Sequence, residues 1–333
     1  MSRYTATQTR LDTQPIVVLH DSVGGREVRI ACHGAALLSF TVRADDGTPH
    51  DLAAGYRDAA EIVQRSGSRF AIMAPFAGRI ADARYSFAGQ AQDLQPGVSG
   101  AGRASRHGFV RDVDFAIIAL AANGGSAQVT LGTSAIRPRP GYPHAIDLRV
   151  TFTLDAGGIT LEALMRNVGA DAAPCCFGWH PYFVVGDGAV DNWELCIPAQ
   201  SLIRTGADLI ALAGEQAYVA LDDAPALDFR APRLIGTSIL DQGYTDLAAD
   251  ADGRIRTQLR DPVTGCALAL WQERGVLHAF TADTVARGAR QAVALEPMEC
   301  MADAFNRPEC AADIRLEPGA ERRFRCGVEV SAP

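Results

Sequence analysis

Residues 146–166 read IDLRVTFTLDAGGITLEALMR. In the first half Val150, Phe152 and Leu154 alternate with Thr151 and Thr153, a period of two that puts apolar side chains on one face of a strand and hydroxyls on the other. Asp155-Ala156-Gly157-Gly158 then supplies turn chemistry, and Ile159 to Arg166 resumes as a second apolar run. The stretch predicts two antiparallel strands joined by a tight turn. The same pattern recurs outward in both directions. Toward the N-terminus lie Pro15 to His20, Arg26 to Cys32, Ala36 to Val42, Phe115 to Leu120 and Ala127 to Leu131, the last two joined through Ala122-Asn123-Gly124-Gly125. Toward the C-terminus lie Ile255 to Arg260, Cys266 to Gln272, Val276 to Thr281, Gln291 to Glu296 and Phe324 to Val330. Helical signal is confined to a short turn around Asp58 to Val63. No strand-helix-strand alternation with a glycine-rich phosphate loop is present, which disfavours a dinucleotide-binding fold. The predicted class is all-β, a large antiparallel β-sandwich. With strands recurring from residue 15 to 330 and no linker to divide them, residues 1–333 are expected to form a single domain.

Composition narrows the function. The chain has 333 residues, 48% of them hydrophobic, and a formal net charge of −8. Its charges are scattered, so no basic face awaits a nucleic acid. The N-terminal segment carries early positive charge without an apolar run behind it, and no later stretch is apolar enough to span a bilayer. A cytoplasmic protein without a membrane partner is expected. Eight cysteines spread along so long a chain, with no CxxC spacing, read as free and mostly buried thiols. No HxH, HExxH or clustered carboxylate pattern calls for a metal, and no cofactor motif is found.

Four segments hold polar groups where a plain core strand would not. Arg79, in Pro75-Phe76-Ala77-Gly78-Arg79-Ile80, offers a fixed fork of donors to hydroxyl or anionic oxygens, or is a surface residue. His107 precedes Gly108 and is flanked by Arg106 and Arg111; an imidazole can exchange a proton near neutral pH. His180 sits among aromatics in Phe177-Gly178-Trp179-His180-Pro181-Tyr182-Phe183, a composition that suits either a sugar pocket or an aromatic core. Glu296 closes the apolar run Ala292-Val293-Ala294-Leu295, where desolvation raises a carboxylate's pKa and makes it a better base. Glu299, beyond Pro297, is the rival, expected to lie past the strand end as an exposed or supporting group. His20, His33, His50, His144 and His278 read as packing or surface residues.

In order, Arg79, His107-Gly108-Phe109, Gly141-Tyr142-Pro143, His180-Pro181-Tyr182-Phe183, Leu295-Glu296 and Leu316-Glu317-Pro318-Gly319 resemble the aldose 1-epimerase (galactose mutarotase-like) family over about residues 25 to 330. The resemblance implies a galactose mutarotase-like supersandwich and an isomerase that interconverts the α and β anomers of a hexose. It implies that Glu296 is the base at the C1 hydroxyl, that His180 is the acid at the ring oxygen and that His107 is a second histidine there. Arg79 and Asp241, with Asp246 as the alternative aspartate, would bind sugar hydroxyls, with Tyr182, Trp179 and Arg111 completing the substrate site.

Two departures bear on the sugar. Gly78 stands where galactose mutarotases carry asparagine before the arginine, and Val184 where asparagine follows the HxYF string. Arg111 and Arg106 resemble the basic residues of the hexose-6-phosphate branch, so the expected partner is a small-molecule sugar, free or phosphorylated. A non-catalytic sugar-binding module remains the alternative from another class, and the oligomer is a monomer or homodimer.

Overall fold

The computed structural model describes residues 2–44, 47–100 and 103–331. Among them, three large antiparallel sheets carry most of the structure. A nine-stranded sheet contains Ser126–Ile136, Ile146–Asp155 and Gly158–Asn167 side by side, then Glu321–Ser331 and Ala267–Gln272. The 146–166 hairpin forms with Ile146 opposite Asn167 and Asp155 opposite Gly158. Its alternation is realised as read: Val150, Phe152 and Leu154 are fully buried. On the other face the Thr151 hydroxyl lies 3.0 Å from that of Thr130, and Thr153 accepts from Gln128 at 3.0 Å.

An eight-stranded sheet carries, as neighbours, Ser201–Ile203, Asp241–Thr245, Val276–Phe280, Val293–Met298, Gly178–His180 and Ala71–Met73. Tyr182–Phe183 also pairs with Val293–Met298. A five-stranded sheet, Tyr4–Leu11 through Pro49–Asp51, packs over the far end of the nine-stranded sheet. One apolar cluster runs through all three, with Val17 and Ile30, Phe152 and Leu161, and Ile72 and Leu277 among its members.

All twelve apolar runs lie in or overlap strands, and the helical turn forms as Ala59–Gln64 with Asp58 capping the Glu61 amide. Tyr4–Leu11 escaped the sequence reading because YTATQTRL is mostly polar. It is an edge strand, and its register with Gln14–Asp21 comes from its partner.

The end of the Val293–Met298 strand differs from expectation. Pro297 does not terminate it. The pairs Gly178 with Met298 and Tyr182 with Ala294, with the Leu295 N–H donating to the Pro181 carbonyl at 3.2 Å, leave a gap at residues 179–180, and Pro297 falls in that gap, where no ladder bond is required of its nitrogen. Glu296 falls there too, beside His180.

Candidate active site

The outer face of the eight-stranded sheet is the floor of a cavity of about 530 Å³. Strand alternation decides what reaches it. In Val276–Phe280, Leu277 and Ala279 point into the core, while His278 and Phe280 face the cavity. In Asp241–Thr245, Tyr244 is core, and Asp241 and Gly243 are floor. Glu296 and Met298 face the cavity, with Val293 and Leu295 fully buried behind them. Register then sets the row: Gly243 lies opposite His278, and His278 opposite Glu296. Across the gap the Nε2 of His180 comes within 3.3 Å of a Glu296 carboxylate oxygen.

His107 arrives from outside the sheet. Its backbone takes a φ of 61°, its N–H donates to the Gly78 carbonyl at 2.8 Å, and its ring meets that of His180 edge-on, with centroids 5.3 Å apart. Gly108 is obligatory next to it. Any Cβ there would sit 1.9 Å from the Ala74 oxygen, at a φ of 66°. Tyr182 stacks on the other side of His180, 5.1 Å away and 11° from parallel, and its hydroxyl donates to the Gly67 carbonyl at 2.8 Å. Two imidazoles, a carboxylate, a stacked phenol and Arg79 therefore converge on one hollow from four separate stretches of chain.

The sequence profile of the family described as aldose 1-epimerase matches residues 15–329. The chain belongs to the aldose 1-epimerase family. It is 26% identical over 236 residues to the uncharacterised protein YihR of Escherichia coli K12, which covers 71% of each chain. It is also 26% identical over 216 residues to the galactose mutarotase of Sus scrofa, covering 63% of this chain and 59% of that protein, under two thirds of its length. Two solved structures share the fold. An aldose epimerase homologue from C. elegans superposes with a TM-score of 0.80 at 17% identity, covering 93% of this chain and 96% of that one. A galactose 1-epimerase from Lactobacillus acidophilus superposes with a TM-score of 0.81 at 15% identity, covering 99% of both.

In this family member, burial dominates the electrostatics of the hollow. It pushes Glu296 up to about 7, against which His278 pulls downward. Burial likewise drives His180 down to about 3, helped by the charge of His278, and holds His107 well below its usual value, with His180 adding to the effect. For His278 burial also acts downward, yet the hydrogen bond to Asp241 and the negative charges of Glu296 and Asp241 outweigh it, and its pKa rises. Its Nε2 is 2.8 Å from Asp241 Oδ1, and that pairing holds Asp241 low against the upward effect of its own burial. Among the described residues no group of three or more His, Cys, Asp or Glu is arranged to hold a metal ion.

The aspartate alternative resolves geometrically: Asp241 lines the cavity and Asp246 does not. Two residues expected at the substrate are elsewhere. Trp179 is fully buried on the core face, edge-on to Phe70 at 5.7 Å and to Phe183 at 6.5 Å. One step along a strand from His180 is the opposite side of the sheet, so the string that looked like an aromatic sugar wall sends only Tyr182 to the cavity. Phe280 supplies the other aromatic surface. Trp179→Ala is therefore expected to destabilise the fold by roughly 3–5 kcal/mol, as core aromatic truncations do, and urea unfolding measures it. A loss under about 1 kcal/mol would deny Trp179 its core role.

Arg111 lies behind the wall. It donates to the Ser68 hydroxyl at 2.8 Å and to the Arg106 carbonyl at 3.3 Å, bracing two wall segments instead of facing a ligand. Val184 packs against the core, so only the Gly78 departure touches the cavity, where Ala302 Cβ would be 2.7 Å from any Cβ at that position. The Glu299 side chain is only 5% exposed. It accepts from the Phe177 N–H at 2.8 Å and from Arg274 at 2.5 Å, a structural tie on the far side of the strand end.

His278 was missed. Its only sequence signal is a histidine inside an otherwise apolar strand, and what makes it a site residue is the pairing with the Glu296 strand, which no local pattern encodes.

Proposed function

We propose that the protein is an aldose 1-epimerase acting on a hexose by ring opening and closure, with Glu296 and His180 moving the protons. The observation that carries this reading is the 3.3 Å approach of His180 Nε2 to the Glu296 carboxylate on the cavity floor. Anomer exchange takes one proton from O1 and gives one to O5 as the C1–O5 bond breaks. Rotation about C1–C2 then presents the other face and the steps reverse. In the reactive arrangement Glu296 is ionised and His180 carries the proton. Glu296 takes the O1 proton while His180 protonates O5, which leaves the proton on Glu296 and the imidazole neutral. That end state is the one burial favours, and ring closure uses it in reverse: Glu296 returns a proton to O1 while His180 takes the O5 proton, which restores the starting arrangement. The pair holds one proton throughout, shared between two coupled sites.

His107, edge-on to His180, stands beside the ring oxygen, and Arg79 and the Asp241–His278 pair hold hydroxyls. The cytoplasm suits eight free thiols, seven of them buried. One folding unit for residues 1–333 fits the apolar cluster shared by all three large sheets.

The test is NMR exchange between α and β anomers of glucose and galactose, with and without protein, from pH 5 to 9. Acceleration above the spontaneous rate is expected. Above about 7 the pair loses its one proton, so kcat/KM should fall as pH rises through that value. A rate that instead climbs through neutrality would mean that Glu296 acts as a lone base, with O5 protonated by another group.

A further inference from the structure

Behind the catalytic cavity lies a second, much smaller hollow, with His33, Tyr56, Arg65, Ser68, Arg69 and Arg111 in its lining. It opens to about 10 Å³, room for a single small body. Three of these residues are arginines, and no carboxylate lines the space. Among the described residues none of the three guanidiniums makes an ion pair. Arg69 is buried and donates to the carbonyls of Ala54 and Arg287, both at 2.7 Å. Arg111 donates to the Ser68 hydroxyl and the Arg106 carbonyl, and Arg65 comes from the C-cap of Ala59–Gln64. Buried charge is ordinarily met by an opposite charge, because leaving it unmet is costly.

Two buried nitrogens of the lining also lack a hydrogen-bond partner, Arg111 Nε and His33 Nε2. The other ring nitrogen of His33, Nδ1, is 2.8 Å from Asp114 Oδ1. The surrounding field is positive. Burial lifts the Tyr56 hydroxyl to about 12, while the Arg69 N–H and the charges of Arg111, Arg69 and Arg65 all pull the other way. Burial and then Arg106 lower the pKa of Arg111, and Arg65 adds to the effect, with Asp112 and Tyr56 acting in the opposite direction. One small space thus has three unpaired guanidiniums around it and two unused nitrogens beside it.

We propose that this hollow is a binding site for a monatomic anion of the chloride class, held by Arg111 Nε and His33 Nε2 and balanced by Arg65 and Arg69. A water could join the two nitrogens only with His33 neutral and a lone pair at Nε2, and it would leave three positive charges uncompensated. A carboxylate or phosphate exceeds the space. The anion would touch no sugar, yet its ligands back the catalytic wall. Ser68 lines both hollows, and Arg111 ties it to Arg106, the neighbour of His107. The Arg69 guanidinium lies 4.9 Å over the ring of Tyr182, which stacks on His180. The site is therefore a brace for the wall that holds both imidazoles, and it stands whether or not the epimerase reading does.

The test follows the melting temperature of the full chain as sodium chloride replaces sodium gluconate at constant ionic strength. Chloride should raise it by about 2 °C or more along a saturating curve, as a ligand of the folded state alone does. Arg111→Gln should abolish the response whatever its own starting stability. Should that variant fail to fold, Arg65→Gln decides, since it alters only the helix end and should raise the half-saturating chloride concentration severalfold. In crystals grown with sodium bromide, an anomalous peak is expected within hydrogen-bonding reach of Arg111 Nε and His33 Nε2. A melting temperature indifferent to chloride, or a response unchanged in the variant tested, would overturn the site. So would bromide missing from the hollow, and a bromide peak without a chloride response would be an adventitious ion only.

Discussion

Glu296→Gln is expected to lower protein-catalysed anomer exchange by about 10²–10⁴-fold, the usual contribution of a positioned acid or base. Glutamine keeps the shape and can still meet a sugar hydroxyl, but it cannot carry the proton that leaves O1. Loss of rate through unfolding is separable because the stability change has the opposite sign. Burial raises the carboxyl from its ordinary 4.5 to about 7, so the folded state binds this proton more tightly than the unfolded chain. Ionising Glu296 therefore costs stability as pH rises between those two values, and the cost is complete above about 7. The amide never ionises. At pH 8 the variant should melt at or above the wild-type temperature while its exchange rate drops. Wild-type exchange in a folded Glu296→Gln protein would remove Glu296 from the mechanism.

His180→Asn should cost a similar factor, about 10²–10⁴-fold, and mainly in kcat, because asparagine can hydrogen-bond to O5 but cannot protonate it. The decisive measurement is the double variant. If Glu296 and His180 share one proton, removing either disables the same relay, and the double variant should be little slower than the worse single one. Multiplied losses would mean two independent contributions. The acid limb of stability should change as well. Burial depresses His180 to about 3, so the unfolded chain takes up its proton near 6.5 before the folded protein does. Stability that His180 contributes above 6.5 is lost as pH falls toward 3, and His180→Asn should flatten that part of the decline. His107, also held well below its usual value by burial, adds to the same limb and remains in the variant.

The sequence by itself determined the fold class. Alternation in runs such as Val150, Phe152 and Leu154, with Gly-rich turns between them, is local information, and burial of one face of each strand enforces it. The ordered short strings from Arg79 to Glu296 were legible for the same reason: each is contiguous, and Glu296, His180, His107, Arg79 and Tyr182, with Asp241, do line one cavity. Which side of a strand faces that wall was not legible where strands are two or three residues long. A period of two cannot be phased from Gly178–His180 alone, so Trp179 and His180 looked equivalent until the sheet sent one to the core and the other to the hollow. Nor could local pattern find His278 beside Glu296, or Arg106 opposite Arg79. Those neighbours are set by register between strands that the chain brings together from a distance, and register is a property of the packed sheet. The protonation of the hollow was likewise decided only in three dimensions, because burial, which no single residue carries in its name, moves Glu296 up and His180 down.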